Sequence, residues 1–308
     1  MKIVPIAFCF DNNLVYPASV CLSTLLMNAN SDTFYDIFIL HSEKENIDKT
    51  DLNKVTHFFQ NCRIQYRTVG STFDDAYEIR GITTPAYYRL LIPELIPEYD
   101  KILYSDVDVT FRCDLSDVYF NTDMSGYYLA GVDSLADFQP EWTKYYNDII
   151  GIGPKGVIYS GNLLFNSRLI RQDGIVDLFK KQSQNAYVFQ DMDVLNIVCR
   201  GKIKYMPPSF CLTTYISEYI IYRKEELLKV WNQEELDDAL INGIVHYNGN
   251  KPWKDMCINF DLWWSSYRKT PFFDEKRCFD FFKAKINELD RLPFWKRVKL
   301  LIRYFVHR

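Results

Sequence analysis

The amino-acid sequence predicts an α/β protein with a mostly parallel central sheet flanked by helices and a C-terminal helical extension. Two observations carry that expectation. Between residues 3 and 68, short apolar runs alternate with segments of helical apolar spacing, the pattern of strand–helix–strand crossovers. The apolar runs also end in acidic or amide residues, as strands do where such a sheet opens onto a ligand.

In chain order, residues 3–10 (IVPIAFCF) read as a buried strand closed by Asp11-Asn12-Asn13. Residues 16–28 place Val20, Leu22, Leu25 and Leu26 on one side of a helix. A strand is expected at 34–40, a helix at 43–59 with Leu52, Val55, Phe58 and Phe59 inward, and a strand at 62–68. In residues 82–96, Thr84 as cap and Pro85 in first position start a helix that carries Arg89. Strand patterns recur at 127–133, ending in Asp133, and at 157–166, with Gly161 inside. A helix opens at Phe189-Gln190-Asp191-Met192-Asp193 and runs through Cys199, and a surface helix at 233–240 is capped by Asn232. Then come a short strand at 244–247, the turn Asn248-Gly249-Asn250 and Lys251-Pro252-Trp253.

The stretch with the most chemistry is 101–111, KILYSDVDVTF. Ile102, Leu103 and Tyr104 read as a strand running into Ser105-Asp106-Val107-Asp108. On an extended segment, residues i and i+2 point to the same face, so the two carboxylates converge. Two close carboxylates repel, and a divalent cation with oxygen ligands removes that cost while gripping a diphosphate. His246, which follows two aliphatic residues, is of a type that suits such a cation. Gly161 in a strand marks a close backbone approach to a ligand or a bulge. Asp191 and Asp193 either favour a helix N-terminus or serve a cleft.

Composition narrows the class. A chain of 308 residues, nearly half of them apolar, can bury a large core, and a net charge of −4 argues against a nucleic-acid binder. Eight scattered cysteines without a CxxC pair disfavour a zinc cluster or disulfide framework and point to a reducing, cytoplasmic setting. The N-terminus reads as a strand, not a signal peptide, and no apolar window is long enough to cross a membrane. No GxGxxG follows the first strand, which excludes the dinucleotide fingerprint.

Four ordered pieces, FDNN after the first strand, YYRLLIP before KILYSDVDV, FQDMDVLN and HYNGNKPW, together resemble the retaining glycosyltransferases of family 8 over about residues 3–265. These include bacterial lipopolysaccharide galactosyl- and glucosyltransferases and glycogenin. The resemblance implies a GT-A fold, Rossmann-like in its sheet, a UDP-hexose donor and Mn²⁺ (or Mg²⁺). It implies Asp106, Asp108 and His246 as metal ligands, and Cys9, Asp11, Asn13 and Val107 against the donor nucleotide. Arg89 and Asp133 would face the donor sugar, Asp191 would be the acid beside it, and Gly249 and Lys251 would hold the diphosphate. The chain departs from the family at Tyr159-Ser160-Gly161, where Asn-Ala-Gly is usual, and at Met192, where Gln often follows the matching Asp. Met192 cannot act as a polar nucleophile.

The expected organisation is a catalytic domain over 1–255 and a C-terminal helical region over 256–308. On a helix starting at Pro293, Phe294, Trp295, Val298, Leu301, Ile302, Phe305 and Val306 share one face, with Lys296, Lys299, Arg303 and His307 opposite. That basic amphipathic tail, about 290–308, fits an anionic membrane surface and a peripheral position on the inner face of the plasma membrane; packing against the domain is the alternative. The expected activity is transfer of glucose or galactose to a glycan or glycolipid hydroxyl. A catalytically silent sugar-nucleotide-binding scaffold and a sugar nucleotidyltransferase are the competing readings.

Overall fold

A computed structural model describes residues 1–79 and 83–306, with the backbone alone at 288–290 and 304. Ile82 of the expected 82–96 helix, and His307 and Arg308 of the tail, lie outside the described residues.

Among the described residues ten strands form two sheets: β1 (Lys2–Cys9), β2 (Thr33–Ser42), β3 (Cys62–Val69), β4 (Ile102–Ser105), β5 (Val109–Thr110), β6 (Leu129–Gly131), β7 (Asn162–Phe165), β8 (Ile203–Tyr205), β9 (Leu212–Thr213) and β10 (Val245–His246). The seven-stranded sheet has the order β3-β2-β1-β4-β7-β6-β8 and the small sheet the order β5-β10-β9. In the large sheet β7 runs against its neighbours β4 and β6, and every other pairing is parallel. The carboxyl ends of β1, β4 and β6 therefore lie along one edge, where Asp11, Asp106 and Asp133 stand.

The first crossover shows why the sheet is parallel. β1 and β2 register residue for residue, Ile6 beside Ile37 and Phe8 beside Ile39, and both are buried along most of their length. The helix between them, Val15–Met27, is buried from Pro17 to Leu26, all round rather than along one stripe. The second helix is Thr50–Phe58, with Leu52 and Val55 buried. Phe58, expected inward, is exposed. At about 100° per residue it lies well off the face shared by Leu52, Val55 and Phe59.

Further expectations need correction. The 84–96 segment is a 3-10 helix over Thr84–Leu91 followed by one α-turn, Ile92–Leu95, and its cap is Thr83 rather than Thr84. Pro93 has no N–H to give the Arg89 carbonyl, so a single α-ladder cannot run through. The strand expected at 157–166 is confined to Asn162–Phe165, with Ile158 making only an isolated bridge to Asp133. Helix Gln233–Asn242 starts as expected at Asn232, which forms a reciprocal capping box with Glu235.

The helix Phe260–Tyr267 follows the expected boundary at 255 yet sits in the main core. Trp263, Trp264 and Tyr267 are buried in the same cluster as Ile6, Phe8 and Val109. Beyond it, Glu275–Asp290 and Phe294–Val306 are helical.

Candidate metal and donor site

The site forms where the two sheets meet. β4 stops at Ser105 and β5 begins at Val109, so Asp106 and Asp108 flank a bend and do not share one extended strand. Their convergence has another cause: each is tied to a different partner segment. The Asp106 N–H donates to the Gly161 carbonyl (2.8 Å), and the Asp108 carbonyl accepts from the Tyr247 N–H (2.9 Å). β10 runs antiparallel to β5, setting His246 opposite Val109. One ligand atom from each of Asp106, Asp108 and His246 then falls within 4.8 Å of the others. His246 Nε2 is 3.5 Å from an Asp106 oxygen and 3.3 Å from an Asp108 oxygen. Two carboxylates and an imidazole nitrogen make a donor set suited to a divalent cation such as Mn²⁺.

The electrostatics follow from burial and pairing. Burial works against the charged imidazole of His246, but Asp108 and Cys211 overcome it and carry its pKa up to about 10. Burial would raise the Asp108 carboxyl; Lys251 and His246 outweigh it and hold it far below the ordinary range. Lys251 Nζ donates to both Asp108 Oδ2 and the Tyr247 carbonyl. Gly249, exposed, sits in the turn between His246 and Lys251.

Arg89, almost wholly buried, links the other acids. Its Nη2 is 2.9 Å from Asp106 Oδ1 and its Nε 3.2 Å from Asp191 Oδ2. Its Nη1 donates to the Ser160 carbonyl (2.5 Å), and its guanidinium lies 4.4 Å from the centre of the Tyr104 ring. Burial pushes the Asp191 pKa up to about 6, with Asp106 adding to the effect and Arg89 opposing it. Cys9, buried at the end of β1, lies within the field of Arg89, Asp106 and Asp191, and burial pushes its thiol up.

The remaining expected residues take other places. Asp11 Oδ1 accepts from the Asn13 N–H (2.9 Å), and the Asn13 amide returns to Oδ2 (3.3 Å), which closes the turn after β1. Val107 is buried in the main core, so only its backbone faces the bend. Asp133 caps the Leu135 N–H (2.8 Å), and burial pushes its pKa up to about 6. Asp193 turns away from the site: it accepts from the Tyr145 and Tyr146 hydroxyls at 2.6 and 2.9 Å. Met192 packs in an apolar cluster with Ala136, Tyr146 and Val157.

Sequence reasoning missed Tyr104, whose hydroxyl donates to Asp106 Oδ1 (2.5 Å), and Cys211, whose sulfur lies 3.7 Å from His246 Nδ1. Tyr104 had a signal, since it stands two residues before Asp106. Cys211 had none.

The description "Glycosyl transferase family 8" matches residues 5–257. A Haemophilus influenzae protein named provisionally as a glycosyltransferase is 25% identical over 95% of this chain and 85% of its own length. The Escherichia coli lipopolysaccharide 1,2-glucosyltransferase is 24% identical over 56% of this chain and 50% of its own. The galactosyltransferase LgtC, solved with donor and acceptor sugar analogs, has the same fold: the TM-score is 0.70 at 22% identity, covering 89% of this chain and 98% of LgtC. With a seven-stranded, mostly parallel GT-A sheet and a family match over most of its length, the chain belongs to glycosyltransferase family 8.

Proposed function

We propose that this protein transfers a hexose, glucose or galactose, from a UDP-sugar to a hydroxyl of a glycan or glycolipid, with retention at the anomeric carbon and dependence on Mn²⁺ or Mg²⁺. One observation carries the reading: three ligand atoms from residues 106, 108 and 246 gather within 4.8 Å beside the Arg89–Asp191 ion pair. Relatives named as a lipopolysaccharide glucosyltransferase and a galactosyltransferase support hexose as the cargo and surface polysaccharide synthesis as the setting.

Asp106, Asp108 and His246 would hold the cation, which neutralises charge on the diphosphate as it departs. Gly249 and Lys251 would bind that diphosphate, and the Lys251 ammonium would favour the leaving group more as its charge grows. Asp11, Asn13, Cys9 and the Val107 backbone would line the nucleotide. Asp133 and Arg89 would position the sugar. Asp191, ionised at neutral pH, would stand beside the positive charge that develops at the anomeric carbon. The acceptor hydroxyl attacks from the face the diphosphate leaves, and its proton passes to a departing phosphate oxygen. Met192 offers no nucleophile to an alternative double displacement.

The test is release of UDP from UDP-glucose and UDP-galactose with and without Mn²⁺, with the product anomer read by NMR. Turnover that needs Mn²⁺ and keeps the configuration is expected. An inverted product overturns retention, binding without turnover identifies a silent scaffold, and pyrophosphate release from UTP and a sugar phosphate identifies a nucleotidyltransferase.

The tail belongs to the same reading. In the helix Phe294–Val306, Phe294, Trp295, Leu301, Ile302, Phe305 and Val306 are exposed, with Lys296, Lys299 and Arg303 on the other side. Among the described residues no helix is long and apolar enough to cross a membrane. We read the tail as lying in an anionic bilayer surface, which holds the enzyme on the inner face of the plasma membrane near its acceptor. Removing 290–308 should release the protein from anionic vesicles and leave donor hydrolysis intact; unchanged vesicle binding overturns this.

A further inference from the structure

We propose that Cys211 is a positioning residue for His246: its sulfur accepts the Nδ1 proton of the imidazole and so holds Nε2 toward Asp106 and Asp108. The inference rests on the metal-site reading above and deepens it.

The placement has three independent supports. Cys211 Sγ lies 3.7 Å from His246 Nδ1, and both residues are buried, so water does not readily take the place of the sulfur. Cys211 is itself fixed on both sides, its N–H donating to the Pro208 carbonyl and its carbonyl accepting from the Thr213 N–H. The adjoining strand β9 then pairs in parallel with β10, Thr213 beside His246, which fixes the level of the sulfur relative to the ring. On another side the ring meets Gly161, where a Cβ atom would come within 2.3 Å of Cε1 and 2.5 Å of Nδ1. The imidazole is therefore held between a residue that must lack a side chain and one that supplies a sulfur.

The chemistry requires an acceptor at that point. A histidine that gives Nε2 to a cation carries its proton on Nδ1, and that N–H needs a partner in a buried site. The same is true of the imidazolium, which carries both protons. Metal-bound histidines usually find a carboxylate, carbonyl or water for this purpose. Here the atom at hand is a thiol sulfur, a weak acceptor of the right size. Serine could do the same, whereas alanine would leave Nδ1–H unpaired.

The experiment titrates Mn²⁺ alone into the full chain by calorimetry, comparing wild type, Cys211→Ser and Cys211→Ala, and records the thermal unfolding of each without metal. Cys211→Ala should weaken Mn²⁺ binding by roughly 10–100-fold, and Cys211→Ser should restore most of it. A purely structural cysteine would lower the unfolding temperature and leave the Mn²⁺ affinity unmoved, and that result overturns the proposal. Should Cys211→Ala fail to fold, the NMR resonance of His246 Nδ1–H decides. A shift on going to Cys211→Ser supports the contact, and an unmoved resonance overturns it. A wild-type protein that binds no Mn²⁺ would sink the metal site itself, an outcome distinct from a wild type and an alanine variant that bind equally.

Discussion

Two buried aspartates each face an arginine, and they are treated in opposite ways. Asp36, in the middle of β2, receives Arg63 Nε (2.6 Å) and Nη2 (2.5 Å), Gln65 Nε2 (2.8 Å) and the Tyr99 hydroxyl (2.7 Å). Burial raises its pKa, but these hydrogen bonds together bring it below the ordinary value. Asp191 shares its arginine. The Arg89 Nε proton goes to the Ala86 carbonyl (2.9 Å), and the other nitrogens serve Asp106 and Ser160. Asp191 Oδ2 is left with an ion pair at 3.2 Å and no hydrogen bond, and its pKa rises to about 6. The saturated carboxylate builds the sheet. The other carboxylate has Ser160 as a further partner, but its Oδ2 keeps acceptor capacity, which fits the role proposed for it above.

The sharpest way to break this contrast is Arg89→Met. It strands buried Asp191, takes one partner from half-buried Asp106, and should cost about 3–5 kcal/mol of stability at pH 7.5, measured by urea unfolding. A loss under about 1 kcal/mol would mean that the acids are solvated and the contrast is false. Asp36→Asn comes next: it should cost roughly 2–3 kcal/mol, since hydrogen bonds to a charged group are lost, and should leave Mn²⁺ affinity as it was. Altered Mn²⁺ binding in that variant would join two regions held here to be separate.

The third effect carries the opposite sign. The folded pKa of Asp191, about 6, lies above its unfolded value near 3.9, so between those values the folded state binds more protons. Its contribution is most favourable below about pH 4 and is lost as pH rises to about 6. Asp191→Asn removes that loss, so the variant should gain up to about 3 kcal/mol relative to wild type at pH 7.5 and nothing at pH 4. For Asp36, with its pKa lowered, stability is instead present above the ordinary carboxylate pKa and fades as pH falls below it. An Asp191→Asn variant less stable than wild type at pH 7.5 would show that its ion pair outweighs its desolvation.

Much of the large sheet was legible because β1 is a continuous apolar run and β2 is one apart from Asp36, both ended by polar side chains. Local pattern was a poorer guide where proline or distant pairing decides the backbone. Pro93 interrupts the expected 82–96 helix, which is 3-10 over Thr84–Leu91, and the pairing of β7 with β4 sets the start of β7 at Asn162. In the site, Asp106, Asp108 and His246 were readable as residue types. The bend that gathers them was not, because its cause lies in Gly161 and Tyr247, far away in the chain. Gly161 was read as a close backbone approach to a ligand or a bulge, and the group beside it is the His246 ring. Asp191 and Asp193 look alike in sequence, yet about half a turn of helix sends them to different neighbours, Arg89 and the Tyr145–Tyr146 pair.

The middle strand of the small sheet is also, among the described residues, the last strand to be synthesised. While the ribosome still holds everything after residue 244, the nascent polypeptide can already pair β1 with β2 and β4, yet it lacks the imidazole and the Tyr247 amide that pins Asp108. The three candidate ligand atoms of residues 106, 108 and 246 can thus come together only once this final strand has been made.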